Sequence, residues 1–496
     1  MEHKRPRWVD RPEFDWTPQP PLELPPPISL QAAQDIGCEP VIIDARLAEP
    51  PPDLIPANDT LPRSPSLFDR MRGFAIRAGD QTVTHIWQLG KQSGDTVGRL
   101  TLPTVAPRLA IGLGQGLLLC LLFYARDPGA GGLLTGLIMA ATFAPLILIQ
   151  GLGRISAWPL MIWTGCAAFC LAGLGAYHAW RITGADPGHA GLWLATMIAG
   201  FLFIGQALLL AHTRNGPGPL RYAVLYESSW RLAMETLLCG LFALLIWGLW
   251  SVFENWLALQ ARTGFFSRVA IPLVTFSFAV ASQLRAGPLL HLLKRGSVVF
   301  LTMGLPLLIL SATVTILVAS LGHWQPPLAL CGIEGVLLVA GINASYRGGG
   351  EWRPLWRRRA EFLAAFLLPL LAALTALALQ TRVARFGFTA PRVVAAGCVL
   401  VLWSYALTYA GAALISLSGG RWMERIESAN LMMAFVALSL LATLASPLGD
   451  PVRLAVANQN WRLGRIAPEA FDYDYLRRSG LRFGHDVLAG LARKNR

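Results

Sequence analysis

RYAVLYESSWRLAME, residues 221–235, is followed by TLLCGLFALLIWGLWSVF, residues 236–253, and the change of character between them decides the fold. In the first part Tyr222, Tyr226, Trp230 and Met234 recur every four residues, which stacks them on one face of a helix. Glu227, Arg231 and Glu235 follow the same spacing on a neighbouring face. A carboxylate one turn before an arginine is the favourable order for a helical ion pair, so Glu227 is expected to meet Arg231. Then the charges stop: Thr236 to Phe253 carries none and, with its flanks, is long enough to cross a bilayer. After a short connection from Glu254 to Arg268, a second apolar span runs from about Val269 to Leu284. The spacing predicts an interfacial helix feeding a membrane hairpin, with its aromatic stripe against lipid or against the bundle.

Such blocks recur throughout the chain. Of its 496 residues 54% are hydrophobic and 14% charged, whereas a soluble domain carries roughly a quarter charged residues. The formal net charge is +13. No basic–aromatic surface motif accompanies it, so nucleic acid is not an expected partner. In a membrane chain the same balance marks Arg-rich cytoplasmic loops and anionic headgroups, and membrane lipids are the expected partners. Of the seven cysteines, Cys38 lies in the N-terminal segment and the others in apolar spans, without disulfide or zinc-site spacing. No metal and no cofactor is expected. The first long apolar block begins only near Arg108, so no signal peptide is expected.

The expected fold is all-α, a polytopic helical membrane bundle of about eleven transmembrane helices between two tails. Residues 1–107 form a Pro-rich, largely disordered cytoplasmic tail, with a short amphipathic helix at Ser66–Arg77; residues 108–447 form the transmembrane domain; residues 448–496 form a helical tail. The spans are expected at about 108–124, 131–152, 157–180, 191–211, 235–253, 269–284, 297–321, 327–346, 361–380, 391–417 and 430–446. Gly112 with Gly116, and Gly132 with Gly136, have the small-xxx-small spacing of close helix pairs. Pro145, Pro159, Pro272, Pro306 and Pro369 fall inside spans and predict kinks. With the N-terminus inside, the inner connections carry the larger share of Arg and Lys, and eleven spans then put the C-terminal tail in the periplasm. In that tail Asp472 can cap a helix, Gly480 can end it, and Leu481, Phe483, Val487, Leu488 and Leu491 offer an apolar face.

Five motifs carry a resemblance. They are Arg108-Leu-Ala-Ile-Gly-Leu-Gly-Gln115, Tyr226-Glu-Ser-Ser-Trp230-Arg, Phe386-Gly387-Phe-Thr389-Ala-Pro-Arg392, Asn458-Gln459-Asn-Trp-Arg462-Leu-Gly464 and Phe471-Asp472-Tyr-Asp474-Tyr-Leu476. With these the chain, from about 100 to 490, resembles the bacterial polytopic membrane proteins of domain-of-unknown-function family 4153. Phe386 stands where the family pattern more often has Tyr. The resemblance implies a fold and a location in the inner membrane, and no activity.

Little points to catalysis. The sequence has no Gly-x-Ser-x-Gly elbow, Walker-type loop or His-Glu-x-x-His helix. His178, His189, His212, His291 and His323 lie at span ends or in loops, where solvated neighbours of headgroups are expected. The outer connections offer only the isolated acids Asp127, Asp186 and Glu254 for metal-assisted transfer to a lipid-linked group. Polar residues inside spans are the better candidates: Glu334, Asn343, Gln115, Gln206, Ser404 and Tyr405, together with Gln150. Glu334 lies mid-span between Gly332 and Gly335, and a carboxylate there costs on the order of 2–3 kcal/mol to insert. It should face the bundle interior, either as a proton-binding or solute-coordinating group or as a hydrogen-bonded lock between helices. Trp352, Trp356, Arg357, Arg358 and Arg359 combine rings with cations, as interfacial lipid contacts and topology anchors do. The leading expectation is a non-enzymatic protein that transports or senses a small or amphipathic solute. The alternatives are an envelope scaffold recruiting protein partners through the Pro-rich N-terminal tail or the C-terminal tail, and a lipid-modifying enzyme.

Overall fold

The apolar blocks fold as helices because a helix pairs the backbone N–H and C=O groups within its own segment, as a hydrocarbon environment requires. The structure, a computed structural model, describes residues 102–125, 131–182, 190–216, 218–256, 265–283, 287–321, 327–346, 354–417, 421–466 and 471–494, all within one compact unit, Asp80–Arg496. The Pro-rich segment, the helix expected at Ser66–Arg77, Trp352 and the acids Asp127 and Asp186 lie outside the described residues.

Eleven apolar helices follow one another: α1 Leu102–Tyr124, α2 Gly132–Gly151, α3 Ala157–Ile182, α4 Ala190–Asn215, α5 Tyr222–Trp256, α6 Phe265–Ala281, α7 Gly287–Ser320, α8 Leu328–Ala344, α9 Leu355–Phe386, α10 Ala390–Leu417 and α11 Trp422–Ala445. Among the described residues, nine helices are long and apolar enough to cross a membrane, and Val269–Ala281 and Leu328–Ala344 are shorter apolar helices. The tail adds α12 Pro451–Leu463, a π-helical turn at Tyr475–Ser479 and α13 Leu481–Lys494; no strand occurs among the described residues.

The helix limits differ from the expected spans at charged ends. Residues 221–253 do not form a separate interfacial helix followed by a span. α5 is one continuous helix of 35 residues, about 52 Å long against a hydrocarbon core of about 30 Å. No glycine or proline stands at the junction, so the helix propagates through it, and the Thr236 hydroxyl bonds back to Leu232 O at 2.7 Å. α7 and α9 likewise extend into charged ends. The ion pairs also differ from expectation. Arg231 pairs forward with Glu235 at 3.1 Å, while Glu227 pairs across to Lys294 of α7. Glu235 also receives both guanidinium nitrogens of Arg154, which follows α2. Arg154 offers two donors in a fixed fork, and it sets the partner that the local spacing alone left open.

One hydrophobic core joins α4, α5 and α7 through α11, with Leu232, Leu305, Leu338, Leu368, Leu371 and Ile426 nearly or wholly buried. A second lies between α2, α3, α4 and α11. Close approach uses the expected glycines. A Cβ at Gly116 of α1 would run into the Pro272 backbone of α6, and one at Gly136 of α2 would meet the Ala172 carbonyl of α3. α2, α6, α7 and α9 run on through Pro145, Pro272, Pro306 and Pro369, while Pro159 sits in the first turn of α3, where no intrahelical N–H is needed.

The two ends of the bundle are distinct. Near the start of α1 Arg108 donates to Ser282 O at 3.3 Å and to Leu152 O, just past α6 and α2. The tail is bonded instead to the C-terminal ends of α3 and α9, at the opposite end. As expected, it is helical with its own core: Phe483, Val487 and Leu488 pack on Val452, Val456, Phe471, Leu476 and Leu481, and Asp472 caps the turn by accepting from Tyr475 N at 3.0 Å.

Gly116 and Gly114 test the packing of α1 directly, since a Cβ at Gly114 would meet nothing within 4 Å. Gly116→Leu is expected to cost about 1–3 kcal/mol, read as a lower thermal midpoint in detergent, and Gly114→Leu to leave the midpoint in place. Equal effects would contradict the α1–α6 contact.

Candidate functional site

The four-residue repeat of α5 turns into the bundle. Tyr222 is buried, and the Tyr222 and Tyr226 rings each lie 5.1 Å, edge-on, from the ring of Tyr346 just past α8. Trp230 continues the stripe, 6.3 Å from Tyr226. Beside these rings a polar hub joins four helices. The Asn343 side-chain oxygen on α8 accepts from Asn430 Nδ2 of α11 at 2.6 Å, from the Tyr409 hydroxyl of α10 at 3.0 Å and from the Tyr222 hydroxyl of α5 at 3.4 Å. The Tyr409 hydroxyl also lies 2.5 Å from Asn430 Oδ1, so its single proton is shared between two amide oxygens. Tyr409 is fully buried and Asn430 nearly so, and an unpaired group in such a place costs about 1–3 kcal/mol.

The hub and the aromatic stripe form one wall of a cavity of about 390 Å³. Tyr222, Ser229, Asn343, Tyr405 and Asn430 supply its polar groups; Phe203 and Ala207 of α4, Leu225 of α5, and Met433 and Ala437 of α11 supply much of the apolar wall. Among the described residues its lining contains no charged side chain and no histidine. A concave, mostly apolar chamber with a few convergent hydroxyls and amides suits a molecule with an apolar body and an uncharged hydrogen-bonding head.

The remaining intramembrane candidates lie elsewhere. Gln115 ties α1 to α2, donating to Ala141 O at 3.1 Å and Thr142 O at 2.9 Å. Gln206 accepts from Trp163 Nε1 at 2.9 Å and donates to Ile147 O at 3.4 Å. Gln150 donates to the Thr236 hydroxyl at 2.9 Å. Ser404 bonds back to Leu400 O of its own helix at 2.9 Å and joins no cluster. Glu334 is buried against α7, nine positions from Asn343 and so about 13 Å away along α8. The lipid-contact cluster divides: Trp356, Arg358 and Arg359 are exposed, Arg358 lies 5.6 Å above the Phe362 ring, and Arg357 is turned inward.

At the other end the structure assembles a clasp that the sequence reading missed. Arg181 at the end of α3 donates to Asp450 Oδ2 at 2.7 Å, and the Tyr177 hydroxyl donates to the same oxygen at 2.9 Å. The other Asp450 oxygen caps α12, accepting from Val452 N at 2.8 Å. His178 is not a solvated headgroup neighbour: it is buried, and its Nδ1 accepts from Arg181 Nε at 3.1 Å. Next to the clasp, three of the sequence motifs meet. Gln459 Nε2 donates to Phe386 O at 3.0 Å and Phe388 O at 2.8 Å, Asn458 Oδ1 accepts from Phe388 N at 2.9 Å, and the Tyr475 hydroxyl accepts from Ala390 N at 3.0 Å. Gly387 makes the join, with φ +73° and tail side chains of Gln459 and Arg462 where a Cβ would stand. Burial pushes the Tyr475 phenol up to about 12. Among the described residues no group of three His, Cys, Asp or Glu is placed to hold a metal.

Both partners of the Arg181–Asp450 pair are buried, so Asp450→Asn should leave an uncompensated guanidinium and cost about 3–5 kcal/mol. The expected readout is a lower thermal midpoint and trypsin cleavage within the tail under conditions where the wild-type tail resists. Unchanged stability and protection would contradict the clasp.

A family model described as a domain of unknown function, DUF4153, matches residues 319–483. The match is narrower than the resemblance read from the motifs: it takes in those beginning at Phe386, Asn458 and Phe471 and leaves out those at Arg108 and Tyr226. No curated protein and no solved structure matches the chain. Glu334, Asn343, Tyr405, Tyr409, Asn430 and Asp450 all fall inside the matched region, and Tyr222 of the cavity falls outside it. The stretch that the DUF4153 model matches carries three of the hub's four side chains and, of the tail clasp, Asp450.

Proposed function

We propose that this chain is a multi-pass protein of the bacterial inner membrane that binds an amphipathic, uncharged solute in the chamber between α4, α5, α8, α10 and α11, and transports or senses it. The observation that carries the reading is the pairing of a mostly apolar wall with the Asn343, Asn430, Tyr222 and Tyr405 polar groups in a space of about 390 Å³. An uncharged lining favours a hydroxyl or amide head over a phosphate or carboxylate, which would pay the cost of a buried charge without a counter-ion. Among the described residues the same lining offers no acid–base pair, which favours binding over catalysis.

The test is native mass spectrometry of the detergent-purified protein. Wild type is expected to retain a neutral amphiphile. Ser229→Phe with Ala437→Phe, which fills the chamber from two walls, should lower its occupancy about tenfold, equivalent to about 1.4 kcal/mol, at an unchanged thermal midpoint. An empty wild-type protein, or equal occupancy in the variant, would overturn the reading.

The proposed orientation has the N-terminus in the cytoplasm and the C-terminal tail in the periplasm. Its support is the basic content at the end of the bundle where α1 begins, including Arg154, Arg214 and Arg221. The tail's own arginines, among them Arg453, Arg465 and Arg477, pull the other way. Reporter fusions at Gly350 and after Arg496 are expected to read opposite sides, with Gly350 cytoplasmic; same-side signals would remove the eleven-span topology.

A further inference from the structure

Glu334 stands apart from the chamber and has its own geometry. It is 4% exposed, in the middle of α8. Two hydroxyls one turn apart on α7 converge on one carboxylate oxygen: Ser311 Oγ donates to Oε1 at 2.6 Å and Thr315 Oγ1 at 3.0 Å. The second oxygen, Oε2, is equally buried and has no hydrogen-bond partner among the described residues. None of the ion pairs formed among those residues includes Glu334.

Among the described residues the surrounding helices supply no counter-charge at this level. On α8 itself the titratable neighbour is Cys331, one turn before. On α7 the charged groups His291, Lys294 and Arg295 lie sixteen or more residues before Ser311, about 24 Å along the helix, and Lys294 is engaged by Glu227. α9 carries Arg357, Arg358, Arg359 and Glu361 in its first two turns and Arg382 and Arg385 in its last two. α10 packs Leu402 against Gly335; its Arg392 is at the far end, donating to Gly387 O at 2.7 Å, Cys398 is exposed, and Tyr409 is committed to the hub beside Tyr405. A static lock between helices would satisfy both carboxylate oxygens, because an unpaired buried oxygen is costly. Here two donors are gathered on one side and the other oxygen is left open. A Cβ at Gly332 would meet nothing within 4 Å, and Ile333 and Val336 beside it face outward, so the site lies near the lipid-facing surface.

We propose that Glu334, Ser311 and Thr315 form an intramembrane site that binds one small monovalent cation, a proton or a sodium ion. A carboxylate and two hydroxyls provide the oxygen donors that either cation takes, and binding cancels the charge that the surrounding helices leave uncompensated.

The experiment uses the full chain in liposomes and N,N′-dicyclohexylcarbodiimide, an apolar reagent that reaches carboxyl groups from the lipid and modifies them in the protonated form. Modification of the peptide containing Glu334 is read by mass spectrometry. In sodium-free buffer, labelling is expected to fall several-fold from acid to alkaline pH. At fixed pH, protection by added sodium at constant ionic strength identifies a sodium site, and indifference to sodium with the pH dependence intact identifies a proton site. Glu334→Gln should remove the label from this peptide, and Ser311→Ala with Thr315→Ala should displace the pH or sodium dependence. A Glu334 that is never labelled, or labelled to the same extent whatever the pH and sodium, behaves as a fixed structural contact and overturns the proposal.

Discussion

The hydrogen bonds to one side-chain oxygen, Asn343 Oδ1, hold the centre of this molecule together. In an apolar medium a polar group without a partner costs several kcal/mol, so a bundle that carries amides and phenols in its interior must bring them to one another. Asn430 and Tyr409 reach Asn343 at 2.6 and 3.0 Å, and Tyr222 at 3.4 Å, which fixes the rotation of α5, α8, α10 and α11 about their own axes at one level. Apolar packing alone discriminates weakly between helix rotations when lipid and core side chains are alike. The amide hub supplies the discrimination.

Once those rotations are set, the aromatic face of α5 has one place to go. Tyr222 and Tyr226 close on Tyr346, and the chamber forms beside them, between α4 and α11. Three of the four hub side chains, Tyr222, Asn343 and Asn430, thus also line the chamber. At the opposite end Asp450 acts in a similar way, joining α3 to the tail through Arg181 and Tyr177 while capping α12.

Much of this architecture was legible in the sequence, because helical spans and close glycine pairs are written in contiguous residues. The eleven apolar helices, the glycine contacts of α1 and α2, and the tail's apolar face follow from local pattern. Helix ends were less legible: α5 runs through Glu235 because helix propagation depends on the backbone, while charge marks only where a side chain meets water. Partners chosen across the bundle left no local trace. Glu235 took Arg154 from another connection, and Arg181 meets Asp450 across 269 residues. The motifs beginning at Phe386 and Asn458 could be recognised separately, but only the fold shows that Gly387 and Gln459 touch. Of the polar residues singled out, Asn343 and Tyr405 came together, Gln115 and Gln206 proved to be ties between neighbouring helices, and Ser404 turned back to its own backbone.

The measurement that bears most directly on this account is a double-mutant cycle between Asn343 and Asn430, read by reversible unfolding in detergent with each residue replaced by alanine singly and together. A hub in which these amides satisfy one another predicts a coupling on the order of 0.5–3 kcal/mol, with the double variant less destabilised than the sum of the singles. Strict additivity would mean that the two side chains do not meet in the folded protein, and would contradict the arrangement on which the chamber depends.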